Sequence, residues 1–414
     1  VGEQKNMANE VRNKQAGAVA DMSLDRAAQY HRQNLRYVRA TTAGGWMNAG
    51  SVKWVACTSA DLTPPCGDGT ANVFDQNWTA YANVPNLMTA GETLTGSFVT
   101  HYVARAATPG QPTPGASTYY VVAEGRSVDT TGLALIKRAY TIRPIIGRAP
   151  DAPIIAASTA SIGGTLSVVA NPNGGGPGVP LSIWSGDDAD ITSGATMQTC
   201  HVSEYLSTDS ADGIDTDATG YKLVRCPDCE CPNTATEQIS NQSREDLDIL
   251  DLDGNLGTNP DTTNFPTDLF EYVFGVASSD YQSVKDQATV IANCNVLGPA
   301  SSGLYWITGD CSIPANTVVG SLDAPVALVM QNGEFRMNAN SEFLGLIFLF
   351  AEGGGSVDVQ INGGPTLYGS LISNQELDLG TGNYSARYEK KVLENLANVA
   401  STLSDVPGSW KDYR

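Results

Sequence analysis

The sequence predicts an α+β chain. A long N-terminal helix packs on an antiparallel β-sheet, and a large β-rich domain of solenoid or sandwich type follows, with an acidic, disulfide-containing insertion. Three observations point there. Residues 1–39 lack proline, hold only two glycines, Gly2 and Gly17, and are dominated by Ala, Arg, Gln and Asn; as one helix they would span ~50–60 Å. From Leu94 onward, apolar and β-branched residues alternate or form short runs bounded by Gly, Pro and Asn, the pattern of strands and turns. The charge is also divided: the chain carries −20, but residues 1–39 carry +3 and the remainder −23.

Composition sets the outer bounds. The 414 residues, with 42 Gly, 21 Pro and only 16% charged, fit two or three turn-dense domains and not a helical cytosolic enzyme. No window reaches the ~18–20 consecutive apolar residues of a membrane span. The net negative charge argues against nucleic acid, whose phosphates need clustered Lys and Arg. Eight cysteines suit an oxidising compartment.

The first element, residues 1–39, has apolar positions that change face. Met7, Val11, Ala18 and Met22 share one side at helical spacing, whereas Leu24, Ala28 and Leu35 form a second stripe. Two faces imply two partners. The reading is a stem whose front half meets other subunits or a membrane and whose back half packs on the strands of residues 94–146. Strands follow around Phe98, Tyr119 and Leu135, with a Pro/Gly-rich loop at 106–117, which closes a first domain at about residue 148.

The second domain is read as residues 149–414. Short apolar runs near Ile154, Leu166 and Ile183 have counterparts from Val326 to Tyr388, and residues 343–350 are apolar at nearly every position, as in a strand buried on both sides. Between the two blocks, residues 186–320 read as an insertion; 186–286 hold 21 Asp/Glu against four Lys/Arg. A C-terminal helix is expected at 389–403, with Val392, Leu396, Val399 and Leu403 on one face.

Two acidic loops bring carboxylates together around glycine: Asp209, Asp212, Asp215 and Asp217, and Asp246, Asp248, Asp251 and Asp253. Calcium takes six to eight oxygens, which such loops can supply, although neither fits the EF-hand spacing. They are candidate Ca²⁺ sites, the second preferred, set against solvated acidic loops. Cys57 and Cys66 read as a short disulfide loop. Cys200, Cys226, Cys229 and Cys231 read either as a zinc site or as two disulfides, Cys200 with one of the other three, with three connectivities open. Cys294 and Cys311 form a separate bridge. Catalysis has little support: the three histidines have no Cys/His hydrolase context, and no Gly-x-Ser-x-Gly elbow is present.

A family resemblance joins these pieces. The run Glu3-Gln4-Lys5 and Ala8 to Ala16 resembles the segment after the hydrophobic N-terminus of PilX-like minor pilins of type IV pili. Residues Ser302 to Thr317 and the closing Pro407 to Arg414 are similar to that family's large members. The resemblance implies an apolar membrane segment ahead of Val1, and it favours disulfides over zinc. It implies a non-enzymatic, structural minor pilin on an extracellular pilus, held in the inner membrane on the periplasmic side before assembly. It would act in assembly, priming or adhesion. Its partners would be other type IV pilins, minor pilins and a large PilY-type tip adhesin, with Met7, Val11, Ala18 and Met22 facing the filament. The competing reading is a secreted β-solenoid glycan-binding module or polysaccharide-active enzyme whose helix caps the coil.

Overall fold

The computed structural model describes residues 2–33, 54–57, 78–81, 97–105, 118–191, 196–206, 213–217, 219–226, 228–232, 240–241, 248–251, 265–380 and 382–413. The chain forms two compact units: residues 1–143 with 402–414, and residues 144–401. This corrects the division at residue 148 in one respect. The last thirteen residues return to the first unit, so the second is an insertion between two strands of one sheet.

In the first unit, helix α1 (Gly2–Gln33) accompanies strands β1 (Trp54–Cys57), β2 (Trp78–Tyr81), β3 (Ser97–Arg105), β4 (Thr118–Arg126) and β5 (Leu133–Pro144). Each strand pairs antiparallel with the next in chain order. The helix buries Ala16, Val19, Ala20, Leu24 and Ala28. These positions recur every three or four residues, so they form one stripe. The stripe is mostly alanine because the backbones come very close. A Cβ on Gly125 of β4 would collide with the Ala16 carbonyl oxygen and stand 2.5 Å from the Ala20 amide. One Cβ on Gly132 would lie 2.8 Å from the Arg12 carbonyl oxygen. Packing on the sheet thus already begins at Arg12, inside the front half of the helix. The two expected partners are divided by face and not by half.

The second unit is a parallel coil with three faces, which resolves solenoid against sandwich. It begins with β6 (Ile154–Ala156), β7 (Ala160–Ile162) and β8 (Thr165–Val169), then repeats as β9 (Ile183–Ser185), β10 (Ala189–Ile191) and β11 (Thr196–Cys200). The hairpin β12 (Gly213–Thr216) and β13 (Lys222–Arg225) leaves the coil. Strand β14 (Ser240–Asn241) pairs antiparallel with β11, and β15 (Ile249–Leu250) stacks on β9. Two short helices, Leu269–Phe274 and Tyr281–Lys285, lead to the opposite end. There the chain winds again: β16 (Thr289–Ile291); β17 (Gly303–Thr308), β18 (Cys311–Ile313), β19 (Val318–Val319); β20 (Val326–Gln331), β21 (Gly333–Met337), β22 (Glu342–Phe350); β23 (Val357–Ile361), β24 (Thr366–Ser373); and β25 (Leu377–Asp378), β26 (Asn383–Arg387).

The two windings meet in the middle of the stack. Leu371 of β24 pairs with Ile154 of β6, and Asn383 of β26 with Thr165 of β8, both parallel. The segment 186–320, expected as an insertion, is therefore coil at both its ends: β10 and β11 at one, β16 to β19 at the other. Its acidity concentrates in what lies between. The helix Lys390–Val399 follows, and Ser401 Oγ donates to the carbonyls of Ala397 and Asn398, which would otherwise end without partners. The expected helix to 403 thus stops at Val399. Leu403 belongs to β27 (Ser401–Asp405), which with β28 (Lys411–Tyr413) runs along β5 in the first unit.

Burial patterns follow coverage. Strands β20, β22 and β24 are buried at every position because both their faces are covered. Phe335, Phe343, Ile347 and Leu371 point into the coil. Phe348, Phe350 and Trp306 point outward beneath Phe270 and Phe274. Leu344 and Tyr368 lie under Leu223 and Val392. Strands β18, β21 and β23 leave Ser312, Arg336, Asp358 and Gln360 in solvent.

The corners depend on glycine at two stacked positions. Gly345 and Gly369 face each other in register, at φ +146° and +148°, where β22 and β24 turn from one face to the next. A Cβ on Gly369 would strike the Gly345 carbonyl oxygen, and one on Gly345 the Val326 carbonyl oxygen. Gly345→Ala or Gly369→Ala should each cost ~3 kcal/mol or more of the second unit's stability, combining strained backbone with a main-chain clash. Gly353→Ala, at φ +64° with open space around it, should cost only ~1–2 kcal/mol. Denaturant unfolding of the three variants measures the difference, and equal losses would contradict the corner assignment.

Candidate functional site

The outer face of α1 is the candidate site. Met7, Val11 and Met22 are 67%, 53% and 37% exposed, and Ala18 is exposed beside them. At 3.6 residues per turn this stripe lies roughly 160° around the helix from the buried one. The helix is thus apolar on two opposite sides, and among the described residues only one of them packs within the unit. At the front end the exposed stripe deepens into a groove of about 460 Å³ lined by Met7, Val11, Arg12 and Val128. Val128 is itself 58% exposed.

The turn between β4 and β5 holds the groove's far wall. Asp129 accepts hydrogen bonds from the hydroxyls of Ser127 (2.6 Å) and Thr131 (2.8 Å), and it pairs with Arg12 of the helix at 2.5 Å. The Ser127 and Thr131 bonds, with Arg12, keep its carboxyl well below the usual carboxylate range. Thr130 takes φ +61° to close the turn. Sequence reading missed this Arg12–Asp129 clamp. The Ser127-x-Asp129-x-Thr131-Gly132 spacing, which lets one carboxylate cap its own turn, is the signal that could have found it.

The cysteines are placed as follows. Cys200 bonds to Cys231, Cys226 to Cys229, and Cys294 to Cys311. The first two bridges pack with Val169 and Tyr205 at the end of the coil that carries β11. The third ties the turn after β16 to β18 at the other end. Cys57 lies on β1, and Cys66 falls outside the described residues.

Of the acidic positions, Asp209, Asp212, Asp246 and Asp253 lie outside the described residues. Asp215 pairs with Arg225 at 3.5 Å. Asp217 forms a turn: one oxygen accepts from the Thr219 amide and hydroxyl and the Tyr221 amide, while the other faces Asn395 at 3.4 Å and Lys391 at 3.7 Å. Burial opposes its ionisation, but these bonds outweigh it and hold the carboxyl below its ordinary value. Both oxygens of Asp217 thus face protein donors, and the residue closes its own turn. Among the described residues, no group of three His, Cys, Asp or Glu is arranged to hold a metal. None of their helices is long and apolar enough to cross a membrane.

Asp248 and Asp251 are buried next to β15. Asp248 Oδ2 accepts from the Ser182 hydroxyl at 2.6 Å, and its carbonyl accepts from the Ser182 amide. Burial pushes its pKa up to about 6, with the Ser182 and Thr199 hydrogen bonds pulling the other way.

Comparison with known proteins adds little. No family model matches the chain, and no curated protein matches it. Among solved structures, the competence-associated pilin ComZ from Thermus thermophilus is similar at 12% identity, over 97% of each chain, with a TM-score of 0.25.

The raised Asp248 carboxyl yields a prediction. Above pH 6 the folded state buries a charge that the unfolded chain leaves in water. Between pH 6 and 4 the folded state takes up the proton first, so this group's penalty, roughly 3 kcal/mol, is relieved as pH falls. Asp248→Asn should raise the neutral-pH melting temperature of the second unit and flatten its rise between pH 7 and pH 4. A variant less stable at neutral pH would show that the carboxylate is needed as an anion.

Proposed function

We propose that this chain is a structural minor pilin, not an enzyme, joined to a filament through the outer face of α1 and displaying the parallel coil outside it. The observation that carries the reading is the helix with two opposite apolar faces. The Ala16, Val19, Ala20 and Leu24 face is consumed by the chain's own sheet. The Met7, Val11, Ala18 and Met22 face has no use within the described part of the first unit. Apolar surface left in water costs about 25 cal/mol per Å² relative to burial, so a partner surface suits it. On this reading the partners are other type IV pilins and minor pilins, together with a large PilY-type tip adhesin. The protein would wait in the inner membrane, anchored by an apolar segment ahead of Val1, and then function on the cell surface. The coil's bulk favours few copies per filament, in priming, assembly or adhesion. The glycan-binding or glycan-cleaving alternative fits the coil equally well, but it leaves the outer face of α1 without a role.

The test uses full-length protein in cells that bear type IV pili. Val11→Asp places a charge on a half-exposed position, so the melting temperature of the first unit should stay within a degree or two. Co-purification with sheared pili should be lost. Leu24→Ala, on the buried face, should instead cost ~2–5 kcal/mol of stability. If Val11→Asp unfolds the unit, or leaves incorporation intact, the outer face is not the filament contact.

A further inference from the structure

The sequence contains three Asn-Gly pairs, Asn173-Gly174, Asn332-Gly333 and Asn362-Gly363. This dipeptide permits a self-reaction in which the glycine nitrogen attacks the asparagine side-chain carbonyl, because glycine presents no side chain to block the approach. The fold treats the three pairs differently. Asn332 is held at both ends of its amide: Oδ1 accepts from the Glu352 amide at 2.9 Å and Nδ2 donates to the Glu352 carbonyl at 3.1 Å. The Gly333 nitrogen donates to Ser356 at 2.9 Å. Asn173 Oδ1 accepts from the Gly178 amide at 2.8 Å, and the Gly174 nitrogen donates to Asn171 at 3.2 Å. In both pairs electrophile and nucleophile are tied in bonds that the reaction must first break.

Asn362-Gly363 has neither restraint. Both residues are exposed at the corner between β23 and β24. Among the described residues, the Asn362 side chain has no hydrogen-bond partner and the Gly363 nitrogen no acceptor. Only the flanking amides are engaged, Asn362 to the Met337 carbonyl and Gly364 to the Asn383 carbonyl. We propose that Asn362 is a built-in deamidation site, converted without any enzyme to aspartate and isoaspartate while the protein remains folded.

The step balances within the chain and water. Base removes the Gly363 N–H proton, and the nitrogen forms a bond to Asn362 Cγ. The Cγ–Nδ2 bond breaks, and Nδ2 leaves as ammonia carrying a proton from solvent. Water then opens the cyclic imide at either carbonyl. Opening at the main-chain carbonyl leaves isoaspartate, which adds a methylene to the backbone between two bonds that join adjacent turns of the coil. Either product adds a negative charge there. The coil corner would thus loosen with the age of the molecule.

The full chain is incubated in mildly alkaline buffer at growth temperature, beside a sample kept unfolded in urea. Peptide maps then quantify aspartate and isoaspartate at the three pairs, the latter also by isoaspartyl methyltransferase labelling. In the unfolded sample all three should convert. In the folded sample Asn362 should lead Asn173 and Asn332 by roughly ten-fold, the rate equivalent of one or two hydrogen bonds that the others must break. Asn362→Gln, with an unchanged melting curve, should remove most of the folded-state signal. The proposal is overturned if Asn362 stays an amide in the folded chain while converting in urea, or if all three sites age alike in both samples.

Discussion

The second unit depends on one constraint: a turn of a parallel coil makes almost no ladder hydrogen bonds with itself. The N–H and C=O groups of its strands point along the coil axis, and each must find the turn above or below. Everything distinctive about residues 144–401 answers that demand. The stack stays in register because Gly345 and Gly369 let neighbouring backbones meet at a corner with no side chain between them. At one end, the strand β16 and the Cys294–Cys311 bridge finish the ladder. At the other, β14, β15 and the Cys200–Cys231 bridge do the same. The two covered faces exclude water from the longest strands.

The first unit obeys a simpler rule, which is steric. A helix can lie this close to a sheet only where side chains shrink to hydrogen or methyl, as at Gly125, Ala16 and Ala20. Close approach raises dispersion contact and leaves little apolar volume on the inner face. Met7, Val11 and Met22 lie on the side turned away, while Val19 and Leu24 share the inner face with the alanines. Arg12 of the helix adds an ion pair to Asp129 in the turn after β4, at the front of this contact.

Much of this was legible in the sequence, and the failures have physical causes. The long helix, the outer stripe of Met7, Val11, Ala18 and Met22, the burial of Leu24 and Ala28, and the doubly buried strand ending at Phe350 follow from periodicity alone. The front of the inner stripe, Ala16, Val19 and Ala20, escaped notice because its role depends on the close approach of Gly125, a contact that appears only once the sheet is formed. The segment 186–320 read as an insertion because its coil strands are two to six residues long and lie among acidic loops. Partners in a parallel stack are set by register across many residues, which local patterning does not encode. The donors that fold onto Asp217, from Thr219, Tyr221 and Asn395, are likewise absent from composition, which records only a carboxylate. The helix end at Val399 depends on one serine reaching back, a detail below the level of pattern.

The place where the two windings meet has a consequence for the order of folding. Chain synthesis and any export begin at the N-terminus, so β6 to β11 emerge first. They cannot complete their ladders until β24 and β26 arrive, since Ile154 pairs with Leu371 and Thr165 with Asn383. For that interval the first winding presents an open parallel edge, the kind of surface that accepts a strand from any chain offering the right register. A neighbouring copy's β24 would satisfy the same groups, exchanging halves between two molecules. The joint between the windings therefore closes only late in synthesis, as does the pairing of the unit's two ends, where the Ile145 amide donates to the Ala400 carbonyl. Any factor that holds the nascent chain extended until residue 387 has emerged would protect this joint most.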